Sequence, residues 1–303
     1  NEGHVVHIGL GRAADLLLIA PASATTLAKL AHGIGDNLLT VTALASHCPL
    51  ILAPALDAGM YAHPAPPANV ETLRARAAVF VGPAAGHLAS GLLGVGRMAE
   101  PAEILDTARL ILAQSGPLAG KHIVITAGGT QEPIDPVRVI TNRSSGKQGY
   151  AVARAALDAG AAVTLITAPT ALVPPLGCRV VPVKTAAEMQ AAVLAETAQA
   201  DALVMAAAVA DFRPAETSSE KIKKEQTIPQ IHLERTADIL ADVAARRAQS
   251  GFPRRVVGFA AESQDLLQNA QSNLTRQHLD PIVANDHPAP HAGFEVETNR
   301  VTL

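Results

Sequence analysis

The chain has 303 residues, of which 49% are hydrophobic and only 2% aromatic, with no tryptophan and a net charge of -3. This is enough apolar material for two medium-sized cores, and too little positive charge and too few rings for a general binder of nucleic acid or anionic membranes. Two cysteines, Cys48 and Cys178, lie in different halves without metal-ligand spacing, and no apolar run reaches membrane-spanning length. The sequence therefore reads as a reduced, cytoplasmic protein without a disulfide framework, a zinc site or a membrane anchor.

In chain order, residues 15–20 read as a buried strand, 23–32 as an amphipathic helix, 49–53 and 78–81 as further strands, and 101–113 as a closing helix. Turn and breaker residues from Gln114 to Gly120 mark a boundary, giving a first domain over 1–114, a linker over 115–120 and a second domain over 121–303. The second half alternates strand 122–126, helix 149–159, strand 162–166, helix 186–197, strand 202–207, helix 237–248, strand 256–260, helix 265–276 and strand 281–284. Thr185 and Glu188 form a capping box that fixes the start of the 186–197 helix. The fold class expected is α/β, with two Rossmann-like or flavodoxin-like units, each a mostly parallel, doubly wound sheet. The chain opens at Asn1 and stops in Arg300-Val-Thr-Leu303, a strand pattern cut short, so it reads as a fragment lacking both ends.

Two segments at strand ends carry the chemistry. Gly128-Gly129-Thr130 runs through Asp135, Arg138 and Asn142 to Ser144-Ser145-Gly146-Lys147. The spacing is not G-x-G-x-x-G and the helix begins near Ser145, so a nicotinamide-binding turn is disfavoured and a long functional loop is expected. Ala207-Ala-Val-Ala-Asp211 leads through a loop opened by Pro214 to Lys221-Ile-Lys-Lys224. Glycines, a carboxylate and a lysine cluster beyond the carboxyl edge of a parallel sheet suit a nucleoside triphosphate and its metal. A solvated charge run is the plain alternative for the lysines, and the neighbouring Asp211 weighs against it.

These motifs, with Asp238-Ile239, Val257-Gly-Phe-Ala-Ala-Glu262 and Ala284-Asn-Asp286, resemble the phosphopantothenate-cysteine ligase domain of the bifunctional decarboxylase/ligase family of coenzyme A biosynthesis. The resemblance implies that CTP and Mg2+ activate 4'-phosphopantothenate as an acyl cytidylate, whose CMP is then displaced by the amine of L-cysteine. Lys221 matches the lysine that forms the acyl cytidylate, and Asn142 the asparagine that handles it. Asp211, Lys221, Thr236, Ala237, Asp238, Ile239 and Phe259 match nucleotide-binding positions, while the metal ligands stay unassigned. In the helix expected over 265–276 the family supplies two lysines toward the nucleotide; Asn273 and Gln277 align there, and Arg276 stands nearby to compensate.

In the first half, His7, the run Ala20-Pro-Ala-Ser-Ala-Thr-Thr26, Pro54-Ala-Leu-Asp-Ala-Gly-Met-Tyr61 and Ala89-Ser-Gly-Leu-Leu-Gly-Val-Gly-Arg97 resemble the flavin-dependent cysteine decarboxylases, partner domain of the same bifunctional family. Hydroxyls such as Ser23 and Thr25 at a strand-to-helix turn suit an FMN phosphate. The resemblance implies FMN-dependent decarboxylation of 4'-phosphopantothenoylcysteine, with His7 as the active-site histidine. It also implies homo-oligomers, dimeric through the ligase and trimeric through the decarboxylase. Asp57 replaces an asparagine facing the substrate carboxylate and Ser90 a cysteine proton donor, so impaired decarboxylation is expected. The rival readings are a nicotinamide-dependent oxidoreductase and a non-catalytic regulatory flavoprotein.

Overall fold

The computed structural model describes residues 5–223, 230–262, 279–286 and 301–302. The chain divides into two compact units, 1–114 and 115–303.

The first unit begins with helix α1 (Val6–Ala13), an element not expected before the first strand. Strand β1 (Leu17–Ala22) follows, then helix α2 (Ala24–His32), opened by Ser23, whose hydroxyl accepts the Thr26 N–H at 3.2 Å. Helix α3 (Leu38–Ala45), strand β2 (Leu50–Pro54), helices α4 (Ala58–Ala62) and α5 (Ala65–Ala75) and strand β3 (Val79–Phe80) come next. Strands β4 (Ala84–His87) and β5 (Leu93–Arg97) form an antiparallel hairpin before helix α6 (Pro101–Ala113). Strands β1, β2 and β3 make a parallel sheet. It is wound on both faces: Leu52 packs with Leu27 and Leu30 of α2 and Val70 and Leu73 of α5, whereas Ile51 and Ala53 pack with Ile104 and Ala108 of α6. Alternate residues of one central strand thus serve two cores, as a sheet covered on both faces requires.

The second unit contains β6 (His122–Ala127), β7 (Gln131–Pro133), β8 (Val139–Thr141), α7 (Lys147–Asp158), β9 (Ala162–Thr167), β10 (Arg179–Pro182) and α8 (Ala186–Glu196). β11 (Ala202–Met205), β12 (Phe212–Pro214), β13 (Leu233–Arg235), α9 (Ile239–Ser250), β14 (Arg255–Glu262), β15 (Ile282–Asp286) and β16 (Val301–Thr302) complete it. The main sheet runs β10-β9-β6-β11-β14-β15-β16, parallel except for the last pair. Starting from β6, the chain builds outward through β9 and β10, then returns to the other side of β6 for β11, β14 and β15. Strand order therefore reverses between β6 and β11, and the crevice above the carboxyl ends of that pair is where such sheets take ligands.

The two segments expected to be loops are partly paired. β7 and β8 form a hairpin within the Gly129 to Asn142 segment, and β12 pairs with β13, so Pro214 closes a strand where it was expected to open a loop. Both pairs are three residues long, and Pro133 and Pro214 disguise them as breakers. The Thr185 cap is present at 3.2 Å, but the Glu188 carboxylate reaches the Lys184 N–H, one residue before the cap. The helix expected over 265–276 lies outside the described residues, as do Asn273, Arg276 and Gln277. Among the described residues no helix is long and apolar enough to cross a membrane.

Helix α7 sits directly on the strand below it. A Cβ added at Gly149 would stand 2.6 Å from the Ala127 Cβ and 2.7 Å from the Thr126 carbonyl oxygen. Alanine is the better helix former, yet overpacking dominates here: Gly149→Ala should lose about 1–3 kcal/mol of unfolding free energy, read from urea denaturation.

Candidate functional site

The crevice between β6 and β11 is laced by hydrogen bonds that extend the sheet beyond its regular edge. The Ala208 N–H donates to the Gly128 carbonyl at 2.8 Å and the Thr130 N–H to the Ala208 carbonyl at 3.1 Å. Two buried threonine hydroxyls accept from the opposite segment, Thr126 from the Ala207 N–H at 3.0 Å and Thr130 from the Ala210 N–H at 2.9 Å. Both segments are therefore held to each other by main-chain and threonine hydroxyl bonds.

Asn142 lies at the exit of β8. Its Nδ2 donates to the Ala208 carbonyl at 2.6 Å, and its Oδ1 accepts the Ser144 N–H at 3.0 Å. Its amide rests on Gly129, where an added Cβ would meet Oδ1 at 2.3 Å. The second N–H of the Asn142 amide is left for another acceptor.

The nucleotide-binding positions expected around Asp211 are gathered by the chain itself. Thr236 donates from its N–H to the Asp211 carbonyl at 3.0 Å and from its hydroxyl to the Ala210 carbonyl at 2.6 Å. Asp211 and Ala237 are exposed, whereas the Asp238 carboxylate caps α9 by accepting the Ala241 N–H at 3.1 Å. Ile239 packs into the core with Val243, so its side chain is withdrawn; its backbone N–H is one of the first-turn donors of α9. Phe259 is half-buried in β14. Lys221 and Lys223 are exposed, and Lys224 lies outside the described residues.

Asp135 and Arg138 are part of the same constellation in a way that spacing alone did not show. The Asp135 carboxylate is buried and accepts the N–H groups of Val137 and Arg138, each at 2.8 Å, the Arg138 Nε at 2.9 Å and the Ile222 N–H at 3.3 Å. Burial alone raises its pKa; the three backbone N–H groups and the guanidinium outweigh that and lower it to about 2.

In the first unit the structure joins Asp57 and Ser90. The Asp57 carboxylate caps α4, accepting the Gly59 N–H at 2.9 Å through Oδ1, while Oδ2 accepts the Ser90 hydroxyl at 2.5 Å. The Ser90 hydroxyl, and then the Gly59 N–H, hold the Asp57 carboxyl below its ordinary value. The β4–β5 hairpin brings Ser90 across, anchored where the Leu56 N–H donates to the Gly96 carbonyl at 2.9 Å. His7 is half-buried on α1, and no hydrogen bond among the described residues links it to the pair. Ser23 and Thr25 sit at the exposed first turn of α2, just beyond β1.

Two family models match the chain end to end, the flavoprotein family over residues 1–112 and the DNA/pantothenate metabolism flavoprotein C-terminal domain over residues 118–303. The coenzyme A biosynthesis bifunctional protein CoaBC of Bacillus subtilis (strain 168) is 44% identical over 306 residues, covering 100% of this chain and 74% of the relative. A cysteine/cysteine sulfinic acid decarboxylase from an unknown prokaryotic organism is 44% identical over 302 residues, covering 98% of this chain and 83% of that protein. The crystal structure of the C-terminal domain of a CoaBC protein has 42% sequence identity and a TM-score of 0.50, covering 57% of this chain and 80% of that one. The chain belongs to the CoaBC family of coenzyme A biosynthesis enzymes.

The low Asp135 pKa sets an acid limit on the second unit. A depressed carboxyl contributes fully above its unfolded value of about 4, and the contribution is lost as pH falls through the folded value of about 2. The thermal midpoint of the native chain should therefore drop between these pH values more steeply than that of Asp135→Asn, which differential scanning calorimetry would measure.

Proposed function

We propose that the second unit joins 4'-phosphopantothenate to L-cysteine through an acyl cytidylate formed with CTP. In the first unit, in turn, 4'-phosphopantothenoylcysteine is decarboxylated to 4'-phosphopantetheine, all in the cytoplasm. Membership of the family supports the pathway; the observation that carries the ligase reading is the strand-order reversal between β6 and β11, with the Asn142 amide bonded to the Ala208 carbonyl beyond it and the Lys221 loop tied through Asp135 to the segment that delivers Asn142. In this reading residues 1–114 are part of a decarboxylase domain and 121–303 a ligase domain.

The roles follow from the chemistry of each group. The Lys221 ammonium, on a flexible stem, neutralises phosphate charge as the carboxylate of phosphopantothenate displaces pyrophosphate. The fixed Asn142 amide has one N–H to offer the acyl oxygen when the cysteine amine attacks and CMP leaves. Asp211 and the free N–H groups at the start of α9 face the nucleotide. Magnesium, when bound, would accompany the triphosphate and screen its charge.

Ser23, Thr25 and the N–H groups of Ala24 and Thr25 fit a flavin phosphate at this helix start; the Thr26 N–H and hydroxyl are already paired with the Ser23 hydroxyl, which leaves Ser23 its remaining hydrogen-bonding capacity. FMN, when bound, supplies the oxidation of the cysteinyl thiol and the final return of electrons. The chain's own contribution is the positioning of His7, Asp57 and Ser90. Leu92 and Leu93, 57% and 73% exposed at the β4–β5 turn, support a subunit contact there, in keeping with a trimeric decarboxylase beside a dimeric ligase.

The Asp57–Ser90 pair favours a second reading of the first unit. An ionised carboxylate repels a substrate carboxylate but attracts an ammonium, so the free amino acid cysteine is the competing substrate. Carbon dioxide release from phosphopantothenoylcysteine and from cysteine, compared on one preparation, separates the two. Restoring the amide and thiol together, Asp57→Asn with Ser90→Cys, should shift preference toward phosphopantothenoylcysteine. Turnover unaffected by Ser90→Ala would remove Ser90 from the mechanism.

For the ligase, pyrophosphate release should require both phosphopantothenate and CTP, and Lys221→Gln should lower it by about 100-fold or more. Absence of release with CTP and with ATP would sink the reading.

A further inference from the structure

The Lys221 loop is gripped by a carboxylate that the proposed chemistry does not use. Asp135 is 2% exposed, and its Oδ2 takes both the Arg138 Nε and the Ile222 N–H. Arg138 Nη2, itself 2.7 Å from Asp135 Oδ2, donates to the Ile222 carbonyl at 2.6 Å. Both main-chain polar groups of Ile222 are thus held by one ion pair, and Ile222 is the residue between Lys221 and Lys223. The approach to this point is tied to the same hairpin: the Thr217 hydroxyl donates to the Pro133 carbonyl at 3.1 Å, and the Ser218 N–H to the Ile134 carbonyl at 3.0 Å.

Burying a carboxylate under a surface loop is costly unless every lone pair is used, and here the donors come from both the hairpin and the loop. The hairpin that carries Asp135 leads through β8 directly into Asn142. One buried anion therefore registers the lysine loop against the strand that delivers the amide. A lysine side chain is long and mobile, so what the protein can fix is the backbone from which it springs.

Resting on the ligase reading above, we propose that Asp135 is a positioning residue which, through Arg138, fixes the Ile222 peptide and thereby sets where the Lys221 ammonium stands relative to the Asn142 amide. A displacement of about 1 Å at such a distance from the chemistry is enough to cost one to two orders of magnitude in rate.

The test uses the full chain and two variants, Asp135→Asn and Arg138→Lys. Asparagine presents N–H groups where Arg138 and Ile222 also donate, and lysine cannot bridge Asp135 and the Ile222 carbonyl with a planar fork. In both, kcat for pyrophosphate release with CTP should fall about tenfold or more while KM for 4'-phosphopantothenate stays within about twofold, because binding persists and the transition-state contact is lost. Without substrate, acylation of Lys221 by a neutral amine-reactive ester, followed by peptide mass, should change rate in both variants while acylation of Lys29 does not. Circular dichroism establishes which variants are folded, and Arg138→Lys carries the test if Asp135→Asn is not. Unchanged kcat or unchanged Lys221 acylation in a folded variant would overturn the proposal. A native chain that releases no pyrophosphate, yet whose Lys221 acylation shifts in the variants, refutes the ligase reading and leaves the clamp standing.

Discussion

Everything at the second-unit site depends on the short parallel bridge between Gly129 and Ala208, where two chains that have already left the sheet remain hydrogen-bonded. In most open sheets the two loops at a strand-order reversal splay apart and leave a gap for ligand. Here Thr126 and Thr130 place hydroxyls where the ladder would otherwise end, and each takes an N–H from the 207–210 segment. The floor of the crevice becomes backbone, with few rotamers to freeze. Preorganisation of that kind reduces the entropy that binding must otherwise overcome.

From that floor the site is assembled in two directions. Asn142 is pinned to it directly, its amide shared between Ala208 and Ser144 with Gly129 beneath. The lysine loop is pinned indirectly, through the hairpin and its buried aspartate. Lys221 itself is exposed, whereas the neutral Asn142 amide is hydrogen-bonded through both its nitrogen and its oxygen. That division suits a reaction in which anionic groups arrive, shift and leave. A fixed buried cation would bind phosphate well before and after transfer alike, and uniform binding of that sort gives no acceleration.

The parts of the fold that the sequence announced are those whose signal is repeated. Apolar strands such as β6, β9 and β11, helix α6, which opens on a proline, and helix α8, which Thr185 caps, have many residues agreeing on one answer. Elements held by tertiary contacts escaped notice: α5 opens with prolines that read as a breaker, and β7, β8, β12 and β13 are three residues each, too short for any period to register. Asn142 and Lys221 were singled out through the family resemblance, and the structure fixes the Asn142 amide on the Ala208 carbonyl and leaves Lys221 exposed. The role of Asp135 was not legible, since Asp-Pro signals a turn, and nothing local says that its carboxylate will be buried beneath a segment more than eighty residues later.

The first unit shows the same limit from the other side. Asp57 and Ser90 were each recognisable as departures from a family pattern, and read separately each is a loss: one adds repulsion, the other weakens an acid. In the structure they are a single hydrogen-bonded unit, 33 positions apart in the chain and joined by the hairpin that crosses from β4 to β5. The serine proton is directed at the aspartate, and the aspartate has its other oxygen committed to capping α4. In the second reading proposed for this unit, what the two replacements change is the charge presented to whatever enters that corner, and with it the choice between a substrate that brings only a carboxylate and one that brings an ammonium beside it.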